Sequence, residues 1–289
     1  MNNDDIWSKI NLLDSDIIIS STIKSGTTWL QQIVAQLVFE GDFDSKLSET
    51  SLWLDTLREY SEEEIIKKIS LQKHRRFFKT HSPASVVLNN KNKNIKYIFI
   101  TRDFRDVVWS FYNHFVNSKY EIKGTSIESE INKKLRKSAT PYDFWKTVIQ
   151  NKNLFTKANN YKIIWSYFNT IKTWLAVEKN PNVLILHFND LKRDLKGNIV
   201  KISKFLGYNY DEELINTVYH KSTFEYMKNN SQKCVPFAFK NSGKFINKGS
   251  NKRWKNTLNE KDLLDYQNLI NTFFTKDISN WIENGSRIN

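Results

Sequence analysis

Cysteine is almost absent from this chain of 289 residues. Cys234 is the only one, so an intrachain disulfide framework and a cysteine metal cluster are both excluded. A lone cysteine is far more often a small buried hydrophobe than a nucleophile. We therefore expect a protein of a reducing compartment, the cytoplasm, with no chemistry at sulfur in its own side chains.

Proline and glycine are scarce, and long apolar runs are missing. With only 4 Pro and 8 Gly, no flexible linker divides the chain, and no internal repeat is found, so we predict one domain over residues 1–289. No apolar run approaches the ~20 residues that a membrane span needs. The first ten residues are polar, with Asp4 and Asp5, and do not resemble a signal peptide. The expectation is a protein without a membrane partner.

Acidic residues are outnumbered by basic ones. The chain has 31 Asp and Glu against 44 Lys and Arg, a formal net charge of +13. Such a balance suggests an anionic partner, which is a nucleic acid, a membrane surface or a phosphorylated ligand. Heavy use of Asn, Lys and Ile throughout, as in chains from AT-rich genomes, explains the excess equally well. Individual basic positions therefore have to carry the argument.

Buried strands alternate with amphipathic helices along the chain. Residues 16–22, 97–101 and 183–186 have the apolar character of buried strands, and residues 77–78 close a short one. Apolar residues at spacings of three and four predict helices over residues 30–38, 107–115 and 199–206. The pattern predicts an α/β fold with a central parallel sheet of about five strands between helices, a three-layer sandwich like the P-loop nucleotide hydrolases. Ligands bind at the carboxyl ends of such strands.

The first predicted strand leads into a short polar loop that is typical of an anion site. Its residues are Lys24, Ser25, Gly26, Thr27, Thr28 and Trp29. N–H groups and the dipole at a helix N-terminus favour an anion, and the ammonium and hydroxyl groups add donors. The pattern G-x-x-x-x-G-K-[ST] of nucleotide triphosphatases is absent, because Lys24 precedes a single glycine. We predict a phosphate loop without ATP, GTP or Mg²⁺; a turn that binds nothing is the alternative.

A basic side chain also follows the strand at residues 97–101. Arg102 comes directly after it, and Ser110 lies eight residues later in the predicted helix. A guanidinium at a strand end can bind phosphate with two hydrogen bonds. An ordinary ion pair with Asp103 or Asp106 is the commoner use of such an arginine.

Two other stretches have suitable chemistry and are weak indications by themselves. His81 follows a predicted strand end with Lys79 beside it, and a histidine can act as a general base near neutral pH. Most single histidines are structural. Near the C-terminus, Gly249 follows Lys248, and a glycine among cations can wrap a phosphate. A solvated basic turn is the alternative.

Together and in order, these four stretches resemble the cytosolic sulfotransferases that use 3′-phosphoadenosine 5′-phosphosulfate (PAPS). The family patterns Y-P-K-S-G-T-T-W, K-T-H-x-P, R-N-x-x-D-V-x-x-S-x-Y and R-K-G-x-x-G-x-W-K-N are matched at residues 22–29, 79–83, 102–112 and 247–256. Weaker similarity at residues 166–174, 183–192 and 222–230 extends the resemblance over nearly the whole chain. The resemblance implies in-line transfer of a sulfuryl group from PAPS to a small-molecule acceptor, without a metal.

The resemblance also implies a role for each matched residue. The catalytic group would be His81 as the base, Lys24 and Lys79 on the transferring group, and Ser110. The cofactor-binding group would be Lys24, Ser25, Gly26, Thr27, Thr28 and Trp29 at the 5′-phosphosulfate, Arg102, Ser110, Lys248 and Gly249 at the 3′-phosphate, and Thr223, Phe224 and Met227 at the adenine. The product would be adenosine 3′,5′-bisphosphate.

Several positions depart from what is usual in the family. Ile23 replaces the proline before the loop lysine, Asn247 replaces an arginine, and Phe188 stands where a tyrosine is usual. Lys252 replaces a glycine, and Arg253 stands where aspartate is usual. We hypothesise that these two cations compensate for the cation missing at position 247.

Several alternatives stay open at this stage. A carbohydrate or protein sulfotransferase, a nucleotide- or nucleic-acid-binding module, and an inactive relative would all keep the same loop. We favour a small-molecule acceptor and no nucleic acid. Lys255, Thr257 and Glu260 are only a compressed echo of the family's dimer pattern, so that dimer is not predicted. Tyr120, Tyr142, Phe144 and Trp145 are candidates to line the acceptor pocket, with core packing as the alternative.

Overall fold

Four strands form one parallel sheet in the computed structural model of the protein, which describes residues 4–55, 60–88, 94–117, 133–151, 167–235 and 242–286. The strands are β1 Ile17–Ser21, β2 Phe77–Thr80, β3 Lys96–Thr101 and β4 Val183–His187. Their order is β2-β1-β3-β4, and every neighbouring pair is parallel. The predicted α/β fold is confirmed, with a strand count in the described residues close to the five or so expected.

Helices make up most of the remaining described chain. They are α1 Asp4–Lys9, α2 Thr27–Val38, α3 Leu47–Thr50, α4 Glu62–Ser70, α5 Ala84–Val87, α6 Phe104–Asn117, α7 Pro141–Gln150, α8 Tyr167–Leu175, α9 Phe188–Arg193, α10 Leu195–Phe205, α11 Glu212–Lys221, α12 Phe224–Asn229, α13 Ser231–Cys234, α14 Ser242–Phe245, α15 Glu260–Asn271 and α16 Lys276–Asn284. None of these helices has the length and apolar character to cross a membrane.

Hydrophobic residues cover both faces of the sheet. Side chains alternate along a strand, so in β1 the side chain of Ile18 joins one buried cluster while Ile17 and Ile19 join another. The first cluster contains aromatic residues of α6, α7 and α8. The second contains the apolar stripes of α2, α10 and α11. Helices therefore pack on both sides of the sheet, which is the predicted three-layer arrangement.

Because all four strands are parallel, their carboxyl ends lie at the same end of the sheet. The chain reverses its direction of winding at β1, because β2 lies on one side of β1 and β3 on the other. In register, Ser20 is opposite Thr80 and Phe99, and Thr101 is opposite His187. Open α/β sheets bind ligands in the crevice beyond such a switch point. The segments that follow these strands therefore converge on one place.

Candidate functional site

The loop between β1 and α2 is tightly wound. Lys24 has φ 60° and Gly26 has φ 107°, both in the left-handed region. A Cβ atom at residue 26 would lie 2.8 Å from Cδ2 of Phe188, so the position requires glycine. Gly26 also caps α2 without a side-chain hydrogen bond. The first N–H groups of the helix therefore remain for an anion, since no side chain of the loop caps them.

The hydroxyl groups of the loop hydrogen-bond mainly to each other. The hydroxyls of Ser21 and Thr27 form one pair, and those of Thr22 and Ser25 form another. The backbone N–H of Ser25 also donates to the Thr22 carbonyl oxygen at 3.3 Å. These bonds hold the loop in shape, while Thr28 is half-buried in the first turn of α2.

Positive charge accumulates at this loop. The pKa of Lys24 is lowered to about 7, first by burial and then by the charges of Lys79 and Arg102. Its Nζ lies 4.3 Å from the ring centroid of Phe245 in α14. In the described chain, no carboxylate lies within ion-pair distance of Lys24 or Arg102. The cluster is thus a desolvated cationic site that an anion would stabilise.

His81 lies beside these cations with a fixed ring. Nδ1 is 2.9 Å from the carbonyl oxygen of Ser21, so Nδ1 carries the proton and Nε2 keeps its lone pair. The pKa of His81 is lowered to about 3, by burial first and then by Lys79 and Lys24, against a rise from the bond to Ser21. The ring of Trp53 meets it edge-on at 5.4 Å between centroids. The imidazole is therefore neutral and presents Nε2 as an acceptor, and an anion bound beside Lys79 and Lys24 would raise its pKa toward the range in which a general base works.

Arg102 is buried and points toward the C-terminal loop. Its guanidinium carbon lies 4.2 Å from the centroid of Phe188. Nη2 donates to the Asn251 side chain and, at 3.4 Å, to the Ser250 carbonyl oxygen, while Nε is buried without a partner. Asp103, which could have formed a surface ion pair with it, instead binds Arg105 at 2.8 Å. Arg102 thus retains unused donor capacity.

The C-terminal loop is fastened to the same edge of the sheet. Lys192 Nζ donates to the carbonyl oxygen of Gly249 at 2.9 Å, and the backbone N–H of Lys252 donates to Asp106 Oδ1 at 2.7 Å. Gly249 has φ 61°, and a Cβ there would lie 2.7 Å from the ring of Phe224. The loop therefore packs its backbone against an aromatic ring, which only glycine permits.

A further wall of the site is built by α2 and the start of α12. Trp29 Nε1 donates to the carbonyl oxygen of Ser222 at 2.7 Å, and its ring meets Phe188 at 5.3 Å. Thr223 caps α12, and Phe224 is 37% exposed. An indole and an exposed phenyl ring at one crevice provide flat apolar surfaces suited to an aromatic ligand.

Comparison with known proteins assigns the family. The family model described as a sulfotransferase domain matches residues 14–278. The chain belongs to the sulfotransferase family. The match includes all four stretches singled out in the sequence, so the predicted resemblance is confirmed.

Sequence relatives with several acceptors share most of the sulfotransferase chain. A glycolipid sulfotransferase of Mycobacterium tuberculosis is 27% identical, with 97% of this chain and 91% of the relative covered. Sulfotransferase 1E1 of Homo sapiens is 28% identical, covering 85% and 80%. An amine sulfotransferase of Oryctolagus cuniculus is 30% identical, covering 84% and 75%. These names share the reaction class and differ in the acceptor.

Solved structures confirm the sulfotransferase fold. Retinol dehydratase in complex with androsterone and inactive cofactor PAP superposes with a TM-score of 0.70 at 22% identity, over 94% of this chain and 84% of that one. Mouse sulfotransferase SULT7A1 complexed with PAP superposes with a TM-score of 0.71 at 18% identity, over 97% and 92%. At these identities the likeness establishes the fold alone.

Lys252, which stands where the family pattern has glycine, has a backbone conformation that favours glycine. Lys252 has φ 62°, and its side chain is exposed. Lys252→Gly is expected to raise the free energy of unfolding by about 0.5–1 kcal/mol. Glycine removes the ~1–2 kcal/mol cost of a left-handed backbone at this position. This gain exceeds the ~0.4–1 kcal/mol by which the added freedom of glycine stabilises the unfolded chain. Chemical denaturation measures the change. Lys255→Gly is the control. Lys255 is exposed in the same loop and is outside the left-handed region, so glycine there should lower the stability of the protein.

Not every sequence-predicted residue touches the loop at residues 22–27. Ser110 is half-buried in α6, about 9 Å along the helix axis from Phe104. Lys248 is exposed, and neither side chain hydrogen-bonds to the described residues. Met227 is buried in the hydrophobic cluster against which Trp29 packs. These residues lie in segments that border the crevice rather than on the loop itself.

The acceptor side of the sulfotransferase is only partly described. Phe144 and Trp145 are fully buried in the core, which favours the packing alternative for both. Tyr142 is half-buried, and Lys146 Nζ lies 4.6 Å from its ring centroid. Tyr120 lies outside the described residues.

Sequence reasoning missed several residues of the site. Asp55 and Trp53 contact His81 and its neighbours, Phe245 lies against Lys24, and Asn251 accepts from Arg102. The sequence gives little indication of these residues. Asp55, for example, is a single acidic residue after the apolar run at residues 52–54. Among the described residues, no three His, Cys, Asp or Glu side chains are grouped as metal ligands would be.

Proposed function

We propose that the protein transfers a sulfuryl group from PAPS to a hydroxyl or amine of a small-molecule acceptor, with His81 as the base. The observation that carries the proposal is a neutral histidine, with Nε2 unprotonated, beside the cluster of Lys24, Lys79 and Arg102. The proposal includes a cytoplasmic location, one domain over residues 1–289 and no metal requirement.

The described residues fit an anionic donor. The first turn of α2 has no side-chain cap, the charge of Lys24 lacks a counterion, and Arg102 has a buried Nε without a partner. Residues 24–29 would hold the 5′-phosphosulfate. Arg102, Ser110, Lys248 and Gly249 would hold the 3′-phosphate, and Trp29, Thr223, Phe224 and Met227 would hold the adenine.

The contacts of the departing residues are compatible with this donor site. Phe188 lacks a tyrosine hydroxyl, but its ring supports the Arg102 guanidinium at 4.2 Å and packs against Gly26. Lys252 preserves the left-handed turn. Burial lowers the pKa of Arg102, and the charge of Arg253 lowers it further, so the two guanidinium groups lie near each other. The hypothesis that Lys252 and Arg253 compensate for Asn247 thus remains part of the proposal.

PAPS, when bound, would supply the activated sulfuryl group, which would pass to the acceptor oxygen or nitrogen while adenosine 3′,5′-bisphosphate leaves. The acceptor proton passes to Nε2 of His81, because Nδ1 is committed to Ser21. Lys24 would stabilise negative charge at the leaving phosphate oxygen. Lys79, on the neighbouring strand β2, would contact the transferring group. Positive charge from both lysines makes deprotonation of the acceptor easier.

Binding of adenosine 3′,5′-bisphosphate at pH 8 is expected to take up about one proton. With a pKa of about 7, Lys24 is mostly neutral at this pH, and a bound phosphate raises that pKa so that the ammonium forms. Affinity should therefore fall as the pH rises above 7. Calorimetric titrations in two buffers with different ionisation enthalpies measure the uptake.

The matched control for proton uptake is Lys24→Arg. Arginine stays charged in the free and bound states, so its titration heat should depend little on the buffer. Equal heats in both buffers for the unaltered protein would show that Lys24 is not recharged on binding.

Transfer of labelled sulfate from PAPS in EDTA tests the function directly. The acceptor panel contains a phenol, an aliphatic alcohol, an amine and a glycolipid, because the named relatives include amine and glycolipid sulfotransferases. Transfer to any of them without metal supports the proposal. If every acceptor fails while the bisphosphate binds, the protein is a nucleotide-binding module or a carbohydrate or protein sulfotransferase. If neither transfer nor binding occurs, the donor assignment is wrong.

A further inference from the structure

Asp55 is a buried carboxylate that accepts hydrogen bonds from the segment containing His81. Oδ1 accepts from the hydroxyls of Thr80 at 2.6 Å and Ser82 at 2.8 Å. Oδ2 accepts from the backbone N–H of His81 and from Trp53 Nε1, the latter at 2.9 Å. Four donors on one carboxylate are unusual for a residue that merely fills space, since burying a charge is costly unless it is bonded.

The carboxylate reaches His81 because the segment before it pairs with β2. The N–H of Lys79 donates to the Leu52 carbonyl oxygen at 2.9 Å, and the N–H of Leu54 donates to the Lys79 carbonyl oxygen at 3.0 Å. This pairing extends the sheet edge by one short segment, with Trp53 opposite Lys79. Asp55 follows Leu54 directly, and its carboxylate contacts the carboxyl end of β2.

Asp55 also fixes the Trp53 indole, which contacts both His81 and Lys79. The Trp53 indole, held by Asp55, meets the His81 ring edge-on at 5.4 Å. Its face lies 4.2 Å from Lys79 Nζ, measured to the centroid. One carboxylate therefore positions the backbone of His81 and the indole of Trp53. Through the indole it also positions the ammonium of Lys79.

Other contacts complete this anchor for residues 80–82. The N–H of Ser82 donates to Thr80 Oγ1 at 2.9 Å, and its carbonyl oxygen accepts from Ser20 Oγ and Trp174 Nε1, each at 3.3 Å. The His81 side chain is held separately, by Ser21. The backbone and the ring of His81 are thus fixed by different partners.

We propose that Asp55 is the positioning residue of the base: by holding the His81 backbone and the Trp53 indole, it aims Nε2 of His81 at the acceptor. The inference rests on the proposed function of His81. Misplacement of a reacting group by about 1 Å costs about 10²-fold in rate, so loss of this anchor should affect turnover more than donor binding.

Asp55→Ala and Asp55→Asn separate positioning from charge. Asparagine can keep an oxygen toward the two N–H donors and turn its NH₂ toward the two hydroxyls, so the anchor survives without charge. We expect Asp55→Ala to lower kcat about 30- to 100-fold and Asp55→Asn less than about 5-fold, with bisphosphate affinity unchanged in both. Rates are measured per folded molecule at saturating PAPS.

The control is Asp16→Asn. Asp16 is equally buried but lies before β1, at the opposite edge of the sheet, where it binds Arg76 at 2.8 Å. This variant should lose stability without a change in kcat per folded molecule. If Asp55→Ala does not fold, Thr80→Val with Ser82→Ala removes the partners of Oδ1 and should lower kcat by about 5-fold; an unchanged rate in that variant would overturn the inference.

The decisive readout is Asp55→Ala in the background of His81→Ala. If Asp55 acts chiefly through His81, its further effect when the imidazole is gone should be far smaller than its effect of about 30- to 100-fold in the unaltered protein, and the remainder should reflect Lys79, which is held through Trp53. A full, independent loss in that background, or a wild-type rate for Asp55→Ala alone, would overturn the role of Asp55 and leave the proposed function standing. A wild-type rate for His81→Ala alone would overturn both.

Discussion

His81→Ala is expected to lower the rate of sulfuryl transfer about 10²–10⁴-fold, the usual contribution of a general base. Affinity for adenosine 3′,5′-bisphosphate should stay within about 3-fold, because no donor-binding role is assigned to the imidazole. The hydrogen bond from Nδ1 to Ser21 leaves Nε2 as the acceptor of the proton. Single-turnover kinetics with PAPS and an accepted acceptor, together with calorimetry of the bisphosphate, measure the two effects separately.

His220→Ala is the control for this experiment. His220 is an exposed histidine on α11, so its loss should leave the rate unchanged. Near-full turnover in His81→Ala would contradict the mechanism. Equal losses of turnover and bisphosphate affinity would indicate that His81 serves the donor site instead.

Lys24→Ala is expected to impair both binding and turnover. Removal of one donor to a developing charge costs about 10²–10³-fold in kcat. Loss of the ammonium should also weaken bisphosphate binding by about 10-fold or more, because a charge-assisted hydrogen bond contributes about 1.5–3 kcal/mol. The same assays as for His81 measure both quantities, and the ratio of the two losses distinguishes the roles.

Lys46→Ala is the matched control for Lys24. Lys46 is an exposed lysine paired with Glu49 at 3.1 Å, far along the chain from the loop. Such surface pairs contribute about 0–1 kcal/mol, so rate and affinity should not change. Normal bisphosphate affinity in Lys24→Ala would contradict the assignment of the loop as the donor site.

Much of the fold could be predicted because the strands are buried on both faces. A parallel strand between two helical layers is almost wholly apolar, and residues 17–19, 97–100 and 183–186 have that character. The helices followed from apolar residues at spacings of three and four. The order of the strands in the sheet cannot be obtained this way, because pairing partners leave no local pattern.

The candidate site was predictable only where function depends on neighbours in sequence. The loop at residues 24–29 acts through consecutive backbone N–H groups, so its pattern is local. Asp55 is joined to His81 across 26 positions, and Phe245 reaches Lys24 from a distant helix. Such contacts arise from tertiary packing, which a single sequence does not encode in any short pattern.

Positions 188 and 252 show where the sequence misleads. Each departs from the family pattern, which at the level of sequence suggests a damaged donor site. In the structure, Phe188 supports Arg102 and packs on Gly26, and Lys252 keeps a left-handed backbone bonded to Asp106. Side chains that differ from the family pattern therefore still make ordered contacts at this crevice.

Calorimetric titration with adenosine 3′,5′-bisphosphate in EDTA, with ATP as the comparison, tests the central claim most directly. We expect micromolar or tighter binding of the bisphosphate, because Lys24 has no ion pair among the described residues and Arg102 has an unpartnered buried Nε there, and little binding of ATP. Absence of bisphosphate binding, or equal binding of ATP, would contradict the assignment of this crevice as a PAPS site.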